Sequence, residues 1–238
     1  MRLRAASLSM LLAIACAMSA HAELPSAALR DITARIDYGW FTGDVGLIHA
    51  ARDALDSSAS EPWSRYLGAY AAYRAAQLAL ARGQAVKTDL EHCADDADAA
   101  AADETVAVEA SVLIVACAAM AAAVEPMRAT WHQRRLRQGL AQAEGSAAGN
   151  PRLLLVRRTL PGEQGIAIDT VVTAFRDARA GFPDWGEAEA LLALSEQRLA
   201  AGDLRGARDA LEETLLIAPD YTAALELKDR IGALTAGR

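Results

Sequence analysis

The chain has 238 residues, 57 of them alanine, with 53% apolar, 5% aromatic and 23% charged residues and a net charge of −7. Alanine is the strongest helix former and strand formers are sparse, so the composition points to an all-α protein. The high apolar content excludes disorder, three cysteines exclude a dense disulfide scaffold, and the acidic balance excludes nucleic acid or anionic lipid held by bulk charge.

Arg2 and Arg4 precede an uncharged run from Ala5 to Ala20, and Ala20, His21 and Ala22 form a small-x-small cleavage site before Glu23. This layout predicts a secretory signal peptide over residues 1–22, cleaved after Ala22, and a periplasmic mature domain over 23–238. The apolar run is about 16 residues, short of the roughly 20 that span a bilayer. A lipid anchor through Cys16 is disfavoured because Leu12 stands four residues before it rather than three. Cleavage removes Arg2 and Arg4 and no acid, which takes the net charge from −7 to about −9.

From Ala27 onward the chain is a succession of helical patterns punctuated by Gly, Pro and Asp. Trp63, Tyr66, Tyr70 and Tyr73 recur at helical steps and put four aromatics along one face. Cys93 and Cys117 follow, and an exported chain could bridge them or keep them as buried thiols. With a turn near Ala102 and Asp103, the two would be offset by roughly 7 Å along antiparallel helices, which speaks against a bridge. Residues 103–142 are alanine-rich and lose the pattern.

The C-terminal third is the most regular. Leu191, Leu194 and Leu199 form one stripe, Gly202 and Asp203 break it, and Leu204, Ala207, Leu211, Leu215 and Ala218 form the next before Pro219. Ala224, Leu227, Ile231 and Leu234 then mark a last helix. The run Ala51-Arg52-Asp53-Ala54-Leu55 reappears as Ala207-Arg208-Asp209-Ala210-Leu211, each copy after a Gly-Asp pair, Gly43-Asp44 and Gly202-Asp203.

These residues resemble the tetratricopeptide repeat, a unit of about 34 residues with the pattern W-x2-L-G-x2-Y, A-x3-F-x2-A-x4-P. Leu191, Leu194, Ser195 and Arg198 match its first-helix positions, and Ala207, Leu211 and Thr214 its second-helix positions before Pro219. Val171, Phe175 and Ala178 match the second helix before Pro183, and Trp63, Tyr66, Leu67 and Tyr70 resemble another first helix. The resemblance implies a right-handed solenoid of antiparallel helix pairs, clearest over 150–183 and 186–220, with an irregular middle and a capping helix over 221–235. It also implies a scaffold that binds a protein or peptide and performs no catalysis.

The residues offer no catalytic, cofactor or metal constellation. His49, His92 and His132 stand in separate segments, and neither a nucleophile elbow nor a phosphate loop nor C-x-x-C is present. Two features bear on binding. Most of the aromatic stripe reads as repeat packing, with Tyr73 the candidate groove residue. Charge is also segregated: eight acids and no base lie between Asp89 and Glu109, and seven arginines between Arg128 and Arg158. Arg134, Arg135 and Arg137 are therefore candidates for a groove gripping carboxylates, set against mutual neutralisation of stacked helices. The competing reading is an all-α ligand carrier or enzyme with a pocket near 103–142.

Overall fold

A computed structural model of the chain describes residues 25–55, 61–163, 165–178 and 182–236. The predicted signal peptide lies outside the described residues. Eleven α-helices and no strand occur among those that are described. They are α1 (Ala27–Thr42), α2 (Val45–Asp53), α3 (Pro62–Ala81), α4 (Lys87–Ala100), α5 (Ala107–Val124), α6 (Ala129–Ala147), α7 (Pro151–Arg158), α8 (Ile168–Asp177), α9 (Glu187–Ala200), α10 (Leu204–Ile217) and α11 (Thr222–Ala236). Most helices adjacent in sequence pack together, most extensively α3 with α4, α5 with α6 and α9 with α10.

The repeated Gly-Asp pair is one turn used twice. Gly43 ends α1 and Gly202 follows α9, at φ of 74° and 80°, in the left-handed region that only glycine enters without strain. The next amide reaches back to the helix, Asp44 N–H to Gly39 C=O at 2.7 Å and Asp203 N–H to Arg198 C=O at 2.9 Å. Each aspartate then caps the following helix, accepting from Leu47 N–H at 3.0 Å and from Gly206 N–H at 2.9 Å. The short turn returns the chain against itself, and the residue four after each aspartate is buried in the contact, Ile48 in the first hairpin and Ala207 in the second. Ser195 ties the second hairpin by donating to the Ala207 carbonyl at 2.7 Å.

The span 150–183 holds α7 and α8, the span 186–220 holds α9 and α10, and 221–235 falls largely on α11. Two positions depart from the expected pattern. Ala178 is exposed, because α8 stops at Asp177, and Leu234 is 52% exposed near the end of α11. The alanine-rich middle is a pair of long helices, α5 and α6, of 18 and 19 residues. By length and composition α5 is apolar enough to cross a membrane. Here α3, α4, α6 and α7 surround it, and Ala110 to Ala118 are all buried, which is why the helix is apolar all round.

Cys93 of α4 and Cys117 of α5 are joined in a buried disulfide with a Cα–Cα separation of 6.0 Å. The expected axial offset was too large because the connection is not a turn at one point. The segment from Ala101 to Val106 lies between the helices, so the cysteines stand seven residues before the end of α4 and ten after the start of α5.

Sequence neighbours are not the sole contacts. The first and last helices touch, with Phe41 and Tyr221 ring centroids 4.9 Å apart. Trp185, just before α9, donates from Nε1 to the Tyr66 hydroxyl of α3 at 2.7 Å. α1 and α3 therefore meet the C-terminal helices directly.

Two outcomes test this packing. Replacing Ala207 by Leu should overpack the α9–α10 contact and cost about 1–3 kcal/mol in chemical denaturation. Replacing both Cys93 and Cys117 by Ser should cost about 3 kcal/mol, since the bridge closes a loop in the unfolded chain.

Candidate functional site

Arg74 is the one charged side chain inside the buried run of α3, and its side chain is 3% exposed. Its guanidinium bonds in three directions. Nε donates to the Tyr70 hydroxyl at 3.1 Å, Nη1 to Gln77 at 3.0 Å, and Nη2 to Glu189 of α9. Aromatic rings wall it in, with Trp40 at 4.4 Å, Tyr70 and Trp185 at 5.1 Å and Tyr73 at 5.7 Å from the guanidinium carbon. Burial opposes the charge, but Glu189 and the two tyrosine hydroxyls outweigh it, so Arg74 titrates above the ordinary arginine range.

Asp37 of α1 completes the network by accepting from the Tyr70 hydroxyl at 2.5 Å. Burial pushes its carboxyl up to about 7; the Tyr70 hydrogen bond resists that, Asp184 and Glu189 add to it, and Arg74 opposes it. Burial likewise holds the Tyr70 hydroxyl well above its usual range.

This network floors a cleft of about 310 Å³ at the seam of the fold. Its walls come from α1 (Asp37, Tyr38, Phe41), the α9 approach (Asp184, Trp185, Glu189) and the α10–α11 turn. Tyr38 and Ile217 stand on its rim, 53% and 46% exposed.

The residues singled out from sequence fall elsewhere. Tyr73 is not a groove residue: it is buried, its hydroxyl accepts from Gln77 at 2.9 Å and its ring faces Trp185. Trp63, Tyr66 and Tyr70 are buried as well, so the whole stripe is packing. Arg134 and Arg135 line a concavity of about 290 Å³ with Trp131, Gln138 and Asp98, while Arg137 bonds the Gln133 carbonyl on its own helix. Arg135 is engaged by Asp98 at 2.5 Å, and Arg152 forks onto Glu109 with two bonds of 3.0 Å. The acidic and basic segments thus neutralise one another at these contacts.

Near the alanine-rich middle, His132 is buried and its Nε2 lies 2.9 Å from Glu125. The His132 hydrogen bond holds the Glu125 carboxyl below its usual range. The cleft beside them measures about 120 Å³. A wider groove of about 560 Å³ runs between Leu80, Val86, Val124 and Met127. Among the described residues, no three His, Cys, Asp or Glu side chains are placed to hold a metal ion.

Sequence reasoning missed Asp37, Arg74 and Glu189. One signal was available: Arg74 is a lone base between Tyr73 and the alanines of α3, and its position on the aromatic stripe implies that it is buried with a partner. Comparison with family models, curated proteins and solved structures finds no match to this chain.

The Asp37 shift fixes a pH dependence. Its folded pKa, about 7, stands above the ordinary 3.8, so the folded state binds the proton more tightly. Asp37 therefore subtracts stability progressively as pH rises from about 4 to about 7, and the subtraction is complete above that range. Asp37→Asn keeps an oxygen for Tyr70 and removes the charge. The melting temperature of the variant relative to the parent should rise between about pH 4.5 and about pH 7.5; a constant difference would contradict the assignment.

Proposed function

We propose that this chain is an exported, periplasmic helical-repeat adaptor that holds a segment of a partner protein and performs no covalent chemistry. In this reading the helix pairs form a tetratricopeptide-like right-handed solenoid, and the seam cleft is the docking surface. The observation that carries it is the seam itself: an open concavity between two Gly-Asp hairpins, rimmed by exposed Tyr38 and Ile217. Half-exposed apolar groups gathered at a concave site are the usual mark of an interaction surface. The twofold use of one hairpin design supports the repeat reading, since such hairpins bury their apolar faces by stacking.

The alternative, a ligand carrier or enzyme with its pocket near 103–142, draws on the His132–Glu125 pair. The cleft at that pair is about 120 Å³, below the roughly 300–1,000 Å³ that small-molecule sites occupy, and the adjoining groove of about 560 Å³ that shares Glu125 is the site this reading would use.

The test is site-specific photocrosslinking in the exporting cell. A photoreactive residue at Tyr38 should give discrete adducts identified as protein by mass spectrometry, and one at Glu104, in the exposed α4–α5 connection, should not. Equal labelling at both positions, or no protein adduct at Tyr38, would count against the adaptor.

A further inference from the structure

The seam cleft carries a chemical preference that its apolar rim does not account for. Four carboxyl groups line it, Asp37, Asp184, Glu189 and Asp220, and no lining residue is basic. Arg74 lies beneath the floor and engages one oxygen of Glu189. The other oxygen, Oε2, is buried and has no hydrogen-bond partner. Asp184 and Asp220 stand exposed at the mouth, and the half-exposed Tyr38 ring lies beside them.

Four carboxyl groups with no base among the lining residues and an aromatic ring at the rim together suit a cation that donates several hydrogen bonds. The wider groove beside Met127 has no such complementarity. We infer that the seam cleft is the anchor pocket for an arginine or lysine side chain of the partner segment, with apolar neighbours of that residue resting on Tyr38 and Ile217. This rests on the adaptor reading and specifies what the adaptor grips. A free amine would fill the charged floor and leave the apolar rim in water, so a side chain within a peptide is the occupant that uses the whole cleft. Asp37, faced by Tyr70 and Arg74 of α3, by Asp184 and by Glu189 of α9, gains charge as pH rises through about 7, which strengthens the hold on a cation.

The experiment is calorimetric titration of the purified protein with three probes: a capped pentapeptide with arginine between leucines, the same peptide with citrulline for arginine, and acetyl-arginine-amide. The arginine peptide should bind about tenfold or more tightly than the citrulline peptide, as charge-assisted bonds require, and more tightly than acetyl-arginine-amide. The double variant Asp184→Asn with Asp220→Asn should weaken arginine-peptide binding about tenfold while its melting curve stays that of the parent. Equal affinity for arginine and citrulline, or indifference to the double variant, overturns the inference. Acetyl-arginine-amide binding as tightly as the pentapeptide overturns the peptide occupant in favour of a small cation. The two readings fail separately: protein adducts at Tyr38 with no arginine preference leave the adaptor standing and remove the cationic anchor. Arginine preference without protein adducts removes the adaptor and leaves a cation pocket.

Discussion

The ion pair between Arg74 and Glu189 is the constraint around which the molecule is arranged. The two residues are 115 positions apart in sequence, and their contact fixes where α9 meets α3. Such a pair is not a large net source of stability, because desolvating both charges cancels most of their attraction. Its effect is on specificity. With the guanidinium at 3% exposure among four aromatic rings, any docking of α9 that separated it from Glu189 would leave a buried charge without a partner. The same pair touches the cleft, since Glu189, which Arg74 engages through one oxygen, is also one of its lining residues.

Alanine serves the fold by letting helices approach closely. Ala207 is buried in the α9–α10 hairpin, and α5, packed against α3, α4, α6 and α7, buries Ala110, Ala116 and Ala118. Where even a methyl group would be too large, glycine takes the place: a Cβ at Gly39 would lie 2.7 Å from Ile48 and 2.9 Å from the Asp44 carbonyl. Close approach at these points leaves little tolerance for larger side chains.

Local features were legible in the sequence because they are written locally. Gly43-Asp44 and Gly202-Asp203 encode a left-handed stop and a helix cap in two adjacent letters, and the spacing of Ala207, Leu211 and Ala218 encodes a buried face. The cleft was not legible, because its walls come from three segments that share no pattern and meet only when the chain folds. The aromatic stripe of α3 was visible, but its side chains point inward, and the face on which Tyr73 lies is covered by Trp185 of the segment before α9, which its own helix does not announce. The disulfide was misjudged for a related reason: the length of the α4–α5 connection, not the spacing of the cysteines, sets their register.

The contact between α1 and α11 separates this protein from an open stack of repeats. In an open array each unit leans only on its neighbours, so the terminal units can fray while the middle stays folded. Here the Phe41–Tyr221 contact gives each end a second neighbour, and the Arg74–Glu189 pair adds a tie across the interior. Opening either end exposes core that belongs to the other. Contacts shared between the two ends favour concerted loss of structure over progressive unzipping from a terminus.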